Sequence, residues 1–479
     1  MKNDYDVVII GAGPAGLFAA NELVKNKRIK VLVVDKGAPP DIRTCPISDR
    51  SAEGCACKVC GRVQGGGGAG LFSDGKLVLD LQSGGHLRDL SLPYLEQDLL
   101  DMVEDTLFSY DGESVELYPD KDKITYWNNK FESQDLQLKT YPVRHLGSYN
   151  LKNIIIKFIK DLSKKVDFRF FSEVSDIFIK SNNTKLIRIK TNNQETWINT
   201  DKLILAVGKF GSNWLHDTLT NLGISFEENR TYIGVRLETS NTNLKGLMEL
   251  SYDPKIYHTY DDGTKIKTHC FCRNGQVITV NYEGFPQVGG HTKYTEKNFI
   301  RNNEQTNSNS NFAILLGDVE GLRYSKQQIN QYFSRLSKTT NGKIIVQRLG
   351  DFRTLQPTTY KKLEQNKIKS SNIQNIYPGN ILDFIFPEDF KNKFLWFLDR
   401  LEKTIPGIAD CDNLLYAPAL EWCMDRVPVD INMETELPGI YAVGDGAGLS
   451  QGIVHAAATG ILAGRNICSL YTEKKFAYV

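Results

Sequence analysis

The first thirty-five residues constrain the fold most. Tyr5 to Ile10 read YDVVII, a short apolar run biased to β-branched residues, and Gly11-Ala-Gly13-Pro-Ala-Gly16 follows at once. Leu17 to Val24 repeat apolar residues at helical spacing, and a second apolar run, Ile29 to Val34, ends at Asp35. The order is strand, glycine turn, helix, strand, acid. Gly11 permits the tight turn, Gly13 lets backbone approach a pyrophosphate, and Gly16 lets helix and strand pack closely. The helix N-terminus then faces the phosphates. Asp35 falls close to the spacing of about 20 residues at which a carboxylate accepts from ribose hydroxyls. A bare glycine fingerprint is weak, but strand, helix and acid all stand where a dinucleotide site requires them.

Composition adds bounds. A length of 479 residues suggests about three domains. Apolar residues at 41% and charged residues at 24% are ordinary for a globular protein. A net charge of +1 gives no electrostatic reason for nucleic-acid or membrane partners. No run of eighteen apolar residues suggests a membrane span. The first strand begins almost at once, which argues against a signal peptide and for a cytoplasmic location. In that setting the nine cysteines read as thiols, ligands or redox groups before structural disulfides.

After Asp35 regular patterning stops. Residues 37–70 hold Pro39, Pro40, four cysteines (Cys45, Cys55, Cys57, Cys60) and a glycine block. Three readings stay open: a thiolate metal site for zinc or iron–sulfur, a redox dithiol in Cys57-Lys-Val-Cys60, or packed thiols in a long loop. The spacing matches no common zinc ribbon, because Cys55-x-Cys57 followed by Cys60 crowds the ligands. The stretch Gly65-Gly-Gly-Gly-Ala-Gly70-Leu-Phe-Ser73-Asp74-Gly75-Lys76-Leu77 is too apolar and too specific for a linker, and its glycines let backbone N–H groups approach a large ligand.

At the other end, Leu437-Pro-Gly-Ile-Tyr-Ala-Val-Gly-Asp445-Gly-Ala-Gly448 is an apolar strand running into Gly444-Asp445, and Gln451 to Asn466 form an Ala- and Gly-rich helix. Thr200-Asp-Lys-Leu-Ile-Leu-Ala-Val-Gly208 is another such strand. Together these resemble the segments with which glutathione-reductase-like flavoproteins complete an FAD site, with Val207 in place of the usual Thr. More closely, Gly67 to Leu77, His145-Leu-Gly147-Ser148, Gly234-Val-Arg236-Leu-Glu238, Cys270-Phe-Cys272-Arg-Asn-Gly275 and Arg426-Val-Pro428 resemble a group of FAD-dependent dehydrogenases in that superfamily. Arg273 and Asn274 replace the Pro and Gly of that group's Cys-x-Cys-Pro-Gly-Gly turn. The resemblance covers nearly the whole chain. It implies an α/β fold: a discontinuous Rossmann-like FAD-binding domain (residues 1–225 and 407–479) with an inserted mixed α+β substrate domain (226–406). It implies FAD contacts at Gly11, Gly13, Gly16, Asp35, Lys36, Gly67, Gly68, Ala69, Ser73, Val174, Ala206, Gly208, Gly444, Asp445, Gly452 and Ile453. Asp445 would meet the ribityl chain, and the following helix would favour negative charge on the reduced flavin.

Helices are expected near Leu90–Leu107, Leu151–Lys165, Tyr324–Leu336 and Phe390–Leu401, and strands near Phe168–Phe171, Val174–Ile179, Leu186–Thr191, Tyr232–Leu237, Val277–Tyr282 and Phe312–Leu316. Asn302 to Asn311 read as loop or edge. No second strand–GxGxxG–helix unit follows, so NAD(P)H would dock only as a transient co-substrate. Candidate catalytic groups are His455 at the start of the last helix, Arg236, Lys76, Cys57 and Cys60. Each has a structural alternative: His455 as a helix-packing residue, Arg236 pairing with Glu238 on one strand face, Lys76 and Asp74 shaping a turn, and Cys270 and Cys272 packing as thiols. Neither a second Asp-Gly hydroxylase fingerprint between Gly147 and Gly234 nor a halogenase WxWxIP is present. Two functions remain: an FAD oxidoreductase acting on a small molecule, or a flavin-linked thiol–disulfide or electron-transfer protein serving a redox protein partner through Cys57 and Cys60 or a bound cluster. An FAD-containing scaffold without turnover is the third reading.

Overall fold

The computed structural model describes residues 4–46, 57–83, 85–90, 96–110, 115–192, 194–229, 231–282, 285–292, 308–317, 326–372, 375–383, 390–422 and 424–473. Among these, two large sheets organise the molecule. The first has seven strands. Asp167–Arg169, Val31–Val34, Tyr5–Ile10 and Gln194–Leu205 run parallel side by side. Val31 to Val34 are all buried, the pattern of a parallel strand covered on both faces. Gln194–Leu205 is long because, besides Tyr5–Ile10, it serves two further neighbours. Its first half pairs antiparallel with Lys185–Thr191, and its last residues pair parallel with Ile440–Ala442. Lys185–Thr191 in turn pairs antiparallel with Ser172–Ile179.

Two helices cover one face together. Pro14–Leu23 follows the glycine turn, and Ile453–Glu473 packs directly on it. Glycines make this approach possible. A Cβ on Gly460 would lie 2.0 Å from the Ala15 carbonyl oxygen, and one on Gly464 would lie 2.7 Å from the Glu22 Cβ. The small residues of the last helix are therefore packing requirements. Helix Gly147–Leu162 also contributes to this core through Ile154, Ile155, Phe158 and Leu162.

The second sheet has eight strands in the order Ile376–Pro378, Ile344–Arg348, Leu414–Trp422, Thr231–Ser240, Asn309–Gly317, Lys265–Cys272, Lys255–Thr259 and Gln137–Lys139. Its own core includes Phe312, Phe352, Phe390, Phe394 and Phe397. Its membership departs from the expected segment 226–406 at both ends. Leu414–Trp422 fills the place between Ile344–Arg348 and Thr231–Ser240, and Gln137–Lys139 closes the far edge. Each buried strand needs hydrogen-bonding neighbours on both sides, and the chain supplies two of them from outside the contiguous block. Trp127 and Phe131, on helix Lys121–Glu132, join the second core as well.

A small three-stranded sheet, with Val143–His145 between Lys76–Val78 and Leu117–Tyr118, carries Lys76. The expected strands at 232–237, 277–282 and 312–316 and the helix at 390–401 all form, as the longer elements Thr231–Ser240, Gln276–Tyr282, Asn309–Gly317 and Phe390–Thr404. Asn309 to Asn311, expected as loop or edge, belong to an interior strand, while residues 302–307 lie outside the described residues. No helix among the described residues is long and apolar enough to cross a membrane.

The crossing of the two helices yields a prediction. Gly460→Val should lower stability by about 1–3 kcal/mol, because the neighbouring backbone cannot retreat without disturbing the glycine turn. Urea unfolding of the purified protein measures this, and an unchanged midpoint would refute the close-packing account.

Candidate functional site

The glycine turn has the division of labour its sequence suggests. Gly11 has φ +109°, and a Cβ there would lie 2.2 Å from the Ala206 carbonyl oxygen. A Cβ on Gly16 would lie 1.9 Å from the Gly11 carbonyl oxygen. Gly13 differs: its nearest neighbour is Gly68 Cα at 3.8 Å, so its backbone opens onto a cavity. Asp35, at the end of the second strand, accepts from the Ala12 N–H and the Gly37 N–H, each at 2.8 Å. Burial raises its pKa, and these amide bonds oppose the rise. Its carboxylate thus ties the strand end to the turn while lining the cavity with lone pairs to spare.

The opposite wall comes from the far end of the chain. Asp445 accepts from the Ser450 hydroxyl at 2.6 Å and from the Gly452 N–H at 3.2 Å. Burial raises its pKa, with Lys209 acting the other way. Gly452, with φ +114°, immediately precedes helix Ile453–Glu473, and nothing lies within 4 Å of where its Cβ would be. The same holds at Gly208. The glycine block is held by a residue that sequence reasoning missed. Arg43 is buried and donates to the carbonyls of Gly61 at 3.1 Å and of Gly66 and Gly68 at 2.8 Å each. A lone Arg in an irregular stretch gives no sequence signal of that role.

These walls enclose a cavity of about 780 Å³, within the range of about 300–1,000 Å³ usual for ligand sites. Of the residues expected to touch cofactor, all line it except Gly16 and Gly67. Gly16 is consumed by packing. Gly67 donates its N–H to the Ala12 carbonyl at 2.8 Å and faces Leu71 and Ile155.

The cavity continues onto one face of the second sheet. Tyr141, Lys255, Tyr257, Lys265, Lys267, His269, Cys270 and Glu421 line this half, with Asp74, Lys76 and Asp253 at the junction. Lys76 is fixed by three acceptors: Asp74 at 2.9 Å, the Phe271 carbonyl at 2.5 Å and Asp253 at 3.5 Å. Asp74 also meets His145 Nε2 at 2.9 Å. Burial opposes its charge, yet Lys76 and His145 hold its carboxyl down at about 2. Asp253 takes Tyr141 Oη at 2.7 Å and Lys255 at 2.9 Å. Burial lowers the His269 pKa to about 4, so the ring is neutral at neutral pH despite Glu421 nearby. Most of these residues come from strand positions that carry no motif, which is why the sequence did not reveal them.

Of the expected catalytic residues, only Lys76 is among the cavity-lining residues described. His455 is buried and bonds the Asp80 carbonyl through Nε2 at 3.0 Å; it is not among the lining residues, which fits its packing alternative. Arg236 does not pair with Glu238. Its Nε donates to Asn311 Oδ1 at 2.6 Å, and its Nη2 to the Cys270 carbonyl at 2.7 Å and Cys272 Sγ at 3.2 Å. Glu238 instead accepts from Tyr416 at 2.5 Å and Asn309 at 3.0 Å. The shared strand face is real, but each side chain finds a nearer partner on an adjoining element. Neither Cys57 nor Cys60 lines the cavity. Cys55 lies outside the described residues. Cys45 is buried, with Arg62 Nε 3.0 Å from its sulfur. Among the described residues no group of three or more potential ligand side chains is arranged to hold a metal.

FAD fits this cavity on three grounds. Glycines at 13, 208 and 452 leave room for close approach, carboxylates stand at both ends, and the first turns of two helices, at Pro14 and Ile453, form part of the wall. A Rossmann-type crevice completed by a second acid-and-helix element, and opening onto a separate sheet, defines an FAD-dependent oxidoreductase. The chain belongs to the glucose inhibited division protein A family, whose model matches residues 162–475, and an NAD(P)-binding Rossmann-like domain model matches residues 9–60. It is 24% identical to an uncharacterized protein of Clostridium beijerinckii over 98% of this chain and 81% of that one. Among solved structures it is similar to pyridoxine 4-oxidase from Mesorbium loti (12% identity, 97% of this chain and 99% of that one, TM-score 0.41). It is also similar to a flavoprotein/dehydrogenase from Cytophaga hutchinsonii (11% identity, 98% and 79%, TM-score 0.39).

Two predictions follow from the geometry. Asp445→Ala removes an acid that organises Ser450 and Gly452 and should weaken FAD binding by about 10- to 100-fold, the equivalent of one charge-assisted hydrogen bond of about 1.5–3 kcal/mol. Fluorescence titration of the apoprotein reads this. The depressed pKa of Asp74 contributes stability that is complete above the ordinary carboxylate range and is lost as pH falls from about 4 to about 2. Denaturant midpoints measured across that window should fall less steeply in Asp74→Asn than in the parent protein.

Proposed function

We propose that this FAD-dependent oxidoreductase exchanges a hydride with a small organic anion bound against the second sheet. The observation that carries the reading is the continuity of one cavity from the glycine turn to the lysine-bearing sheet face. Bound FAD supplies the hydride or electron exchange. The chain's own residues supply binding, orientation and charge. Lys76, Lys139, Lys209, Lys255, Lys265 and Lys267 outnumber Asp74, Asp253 and Glu421 in this half, so an anion is favoured over a cation. Lys267 is held by Glu421 at 2.6 Å and Lys255 by Asp253 at 2.9 Å, which presets their ammonium positions. The Tyr141 phenol, hydrogen-bonded to Asp253, keeps its proton because burial and that carboxylate raise its pKa. A nicotinamide is proposed as a transient electron donor or acceptor, since no second nucleotide-binding unit is evident in the sequence.

The purified protein should absorb near ~450 nm and bleach anaerobically with a nicotinamide or with the organic substrate. Absence of flavin, and failure to bind added FAD, would overturn the reading. Small carboxylates and phosphate esters should perturb the flavin spectrum on binding. Lys267→Ala should weaken that binding roughly tenfold, in line with loss of one charge-assisted contact of ~1.5 kcal/mol, while leaving the flavin content unchanged. Equal affinity in parent and variant for every anion tried would place the substrate elsewhere.

A further inference from the structure

Cys270 and Cys272 occupy an unusual position. Cys270 lines the cavity and is partly exposed to it, whereas Cys272 lies behind it and is wholly buried. Regular pairing between Lys265–Cys272 and Asn309–Gly317 is interrupted between His269 and Cys272, and Cys270 has φ +52°. A side-chain-bearing residue rarely adopts that conformation, and such residues cluster at functional sites. Two residues apart on a fully extended strand stand about 7 Å apart at Cα, at or beyond the limit of about 6.8 Å for a disulfide. Here the regular register breaks, and Cys272 Sγ reaches back to the Cys270 carbonyl at 3.7 Å.

The surroundings are built for the two sulfurs. Arg236 Nη2 lies 3.2 Å from Cys272 Sγ, and Lys76 Nζ lies 3.9 Å from Cys270 Sγ. Among the described residues Arg236 has no carboxylate within ion-pair distance; its partners are Asn311, the Cys270 carbonyl and Cys272. Arg236 and Lys76 thus place two cations beside the two sulfurs, which favours one negative charge shared in the pair. Gly290, on the adjoining hairpin strand, makes the space: a Cβ there would lie 1.9 Å from Arg236 Nη2 and 2.5 Å from Cys272 Sγ. Asn274, standing where the related turn has glycine, takes φ +50° and preserves the turn that returns the chain past Cys272.

We infer that Cys270 and Cys272 form a redox-active dithiol in the cavity wall, with Cys270 the attacking thiolate and Cys272 the resolving thiol. The hydrogen bond from Cys272, together with Lys76 and Arg236, holds Cys270 well below the usual thiol range, while burial pushes Cys272 up. One thiolate and one thiol is the state that exchange chemistry requires. With a low-molecular-weight disulfide as oxidant, Cys270 Sγ attacks one sulfur, the oxidant's S–S bond breaks, and the first small thiolate leaves and takes a proton. Cys272 then loses its proton and attacks Cys270 Sγ, breaking the mixed disulfide and releasing the second small thiol. Two electrons pass from the protein pair to the oxidant, which ends as two thiols. The inference does not rest on the organic-anion reading, and its readouts do not involve the flavin.

The test uses reduced full-length protein exposed to glutathione disulfide, acid-quenched, denatured, alkylated with iodoacetamide and digested for mass spectrometry. The Cys270–Cys272 peptide should appear unalkylated and two hydrogens lighter, while the peptides carrying Cys411 and Cys468 are alkylated. Cys272→Ser should accumulate a glutathione adduct on Cys270, and Cys270→Ser should show neither adduct nor disulfide at these positions. As a check on unmutated protein, native Cys270 should react with iodoacetamide at neutral pH at least tenfold faster than exposed Cys411. A pair that stays fully alkylatable in excess glutathione disulfide, slow alkylation of Cys270, or a disulfide forming between Cys57 and Cys60 instead would overturn the inference.

Discussion

The structure depends on one close backbone contact. The Gly11 turn lies against the carbonyl of Ala206, leaving no room for a side chain. That contact joins the end of the first strand to the end of the long strand Gln194–Leu205, two parallel neighbours in the sheet. It also sets the floor of the cavity, because Ala206, Gly208 and Gly13 all border it. The helix crossing at Gly460 repeats the same device one layer out, so the turn, the sheet edge and the last helix are held at fixed distances by absent side chains.

The cofactor half of the site was legible in the sequence because its requirements fall on the backbone. Close approach and left-handed conformations demand glycine at particular positions, and Gly11, Gly13, Gly208, Gly444 and Gly452 stand where those demands arise. Asp35 and Asp445 were visible for the same reason: each ends a strand and bonds the amides that follow or face it. The half of the cavity formed by the second sheet was not legible. Lys255, Lys267 and Glu421 converge from three strands, and Tyr141 from the segment after a fourth, and no local pattern encodes their register. Sequence reasoning also misplaced emphasis on His455 and on an Arg236–Glu238 pair, because helix position and strand alternation specify a face and not the nearest partner. The membership of the second sheet was hidden in the same way, since Gln137–Lys139 and Leu414–Trp422 are placed by long-range pairing.

Between the two halves lies a chain of buried charges. Asp74, Lys76, Asp253 and Lys255 alternate in sign, with His145, Tyr141 and Tyr252 completing their hydrogen bonds. Removing one member would leave its partner as an uncompensated charge in a dry interior, which is far costlier than losing a surface pair. The small sheet that carries Lys76 is thereby fastened to the second sheet through ion pairs, beside an apolar cluster of Tyr141, Val143 and Tyr252.

The long strand Gln194–Leu205 and its late partner Ile440–Ala442 also impose an order in time. The glycine turn and Asp35 are synthesised first, but Asp445, Gly452 and the last helix emerge more than four hundred residues later. Domains fold as the chain leaves the ribosome, from the N-terminal side onward. Until then the first sheet has a bare flank where Ile440–Ala442 will pair, and Ala15 and Ala19 lack the helix Ile453–Glu473 that packs on them. A nascent chain therefore cannot close the cavity around its cofactor until Asp445, Gly452 and the helix after them have been made.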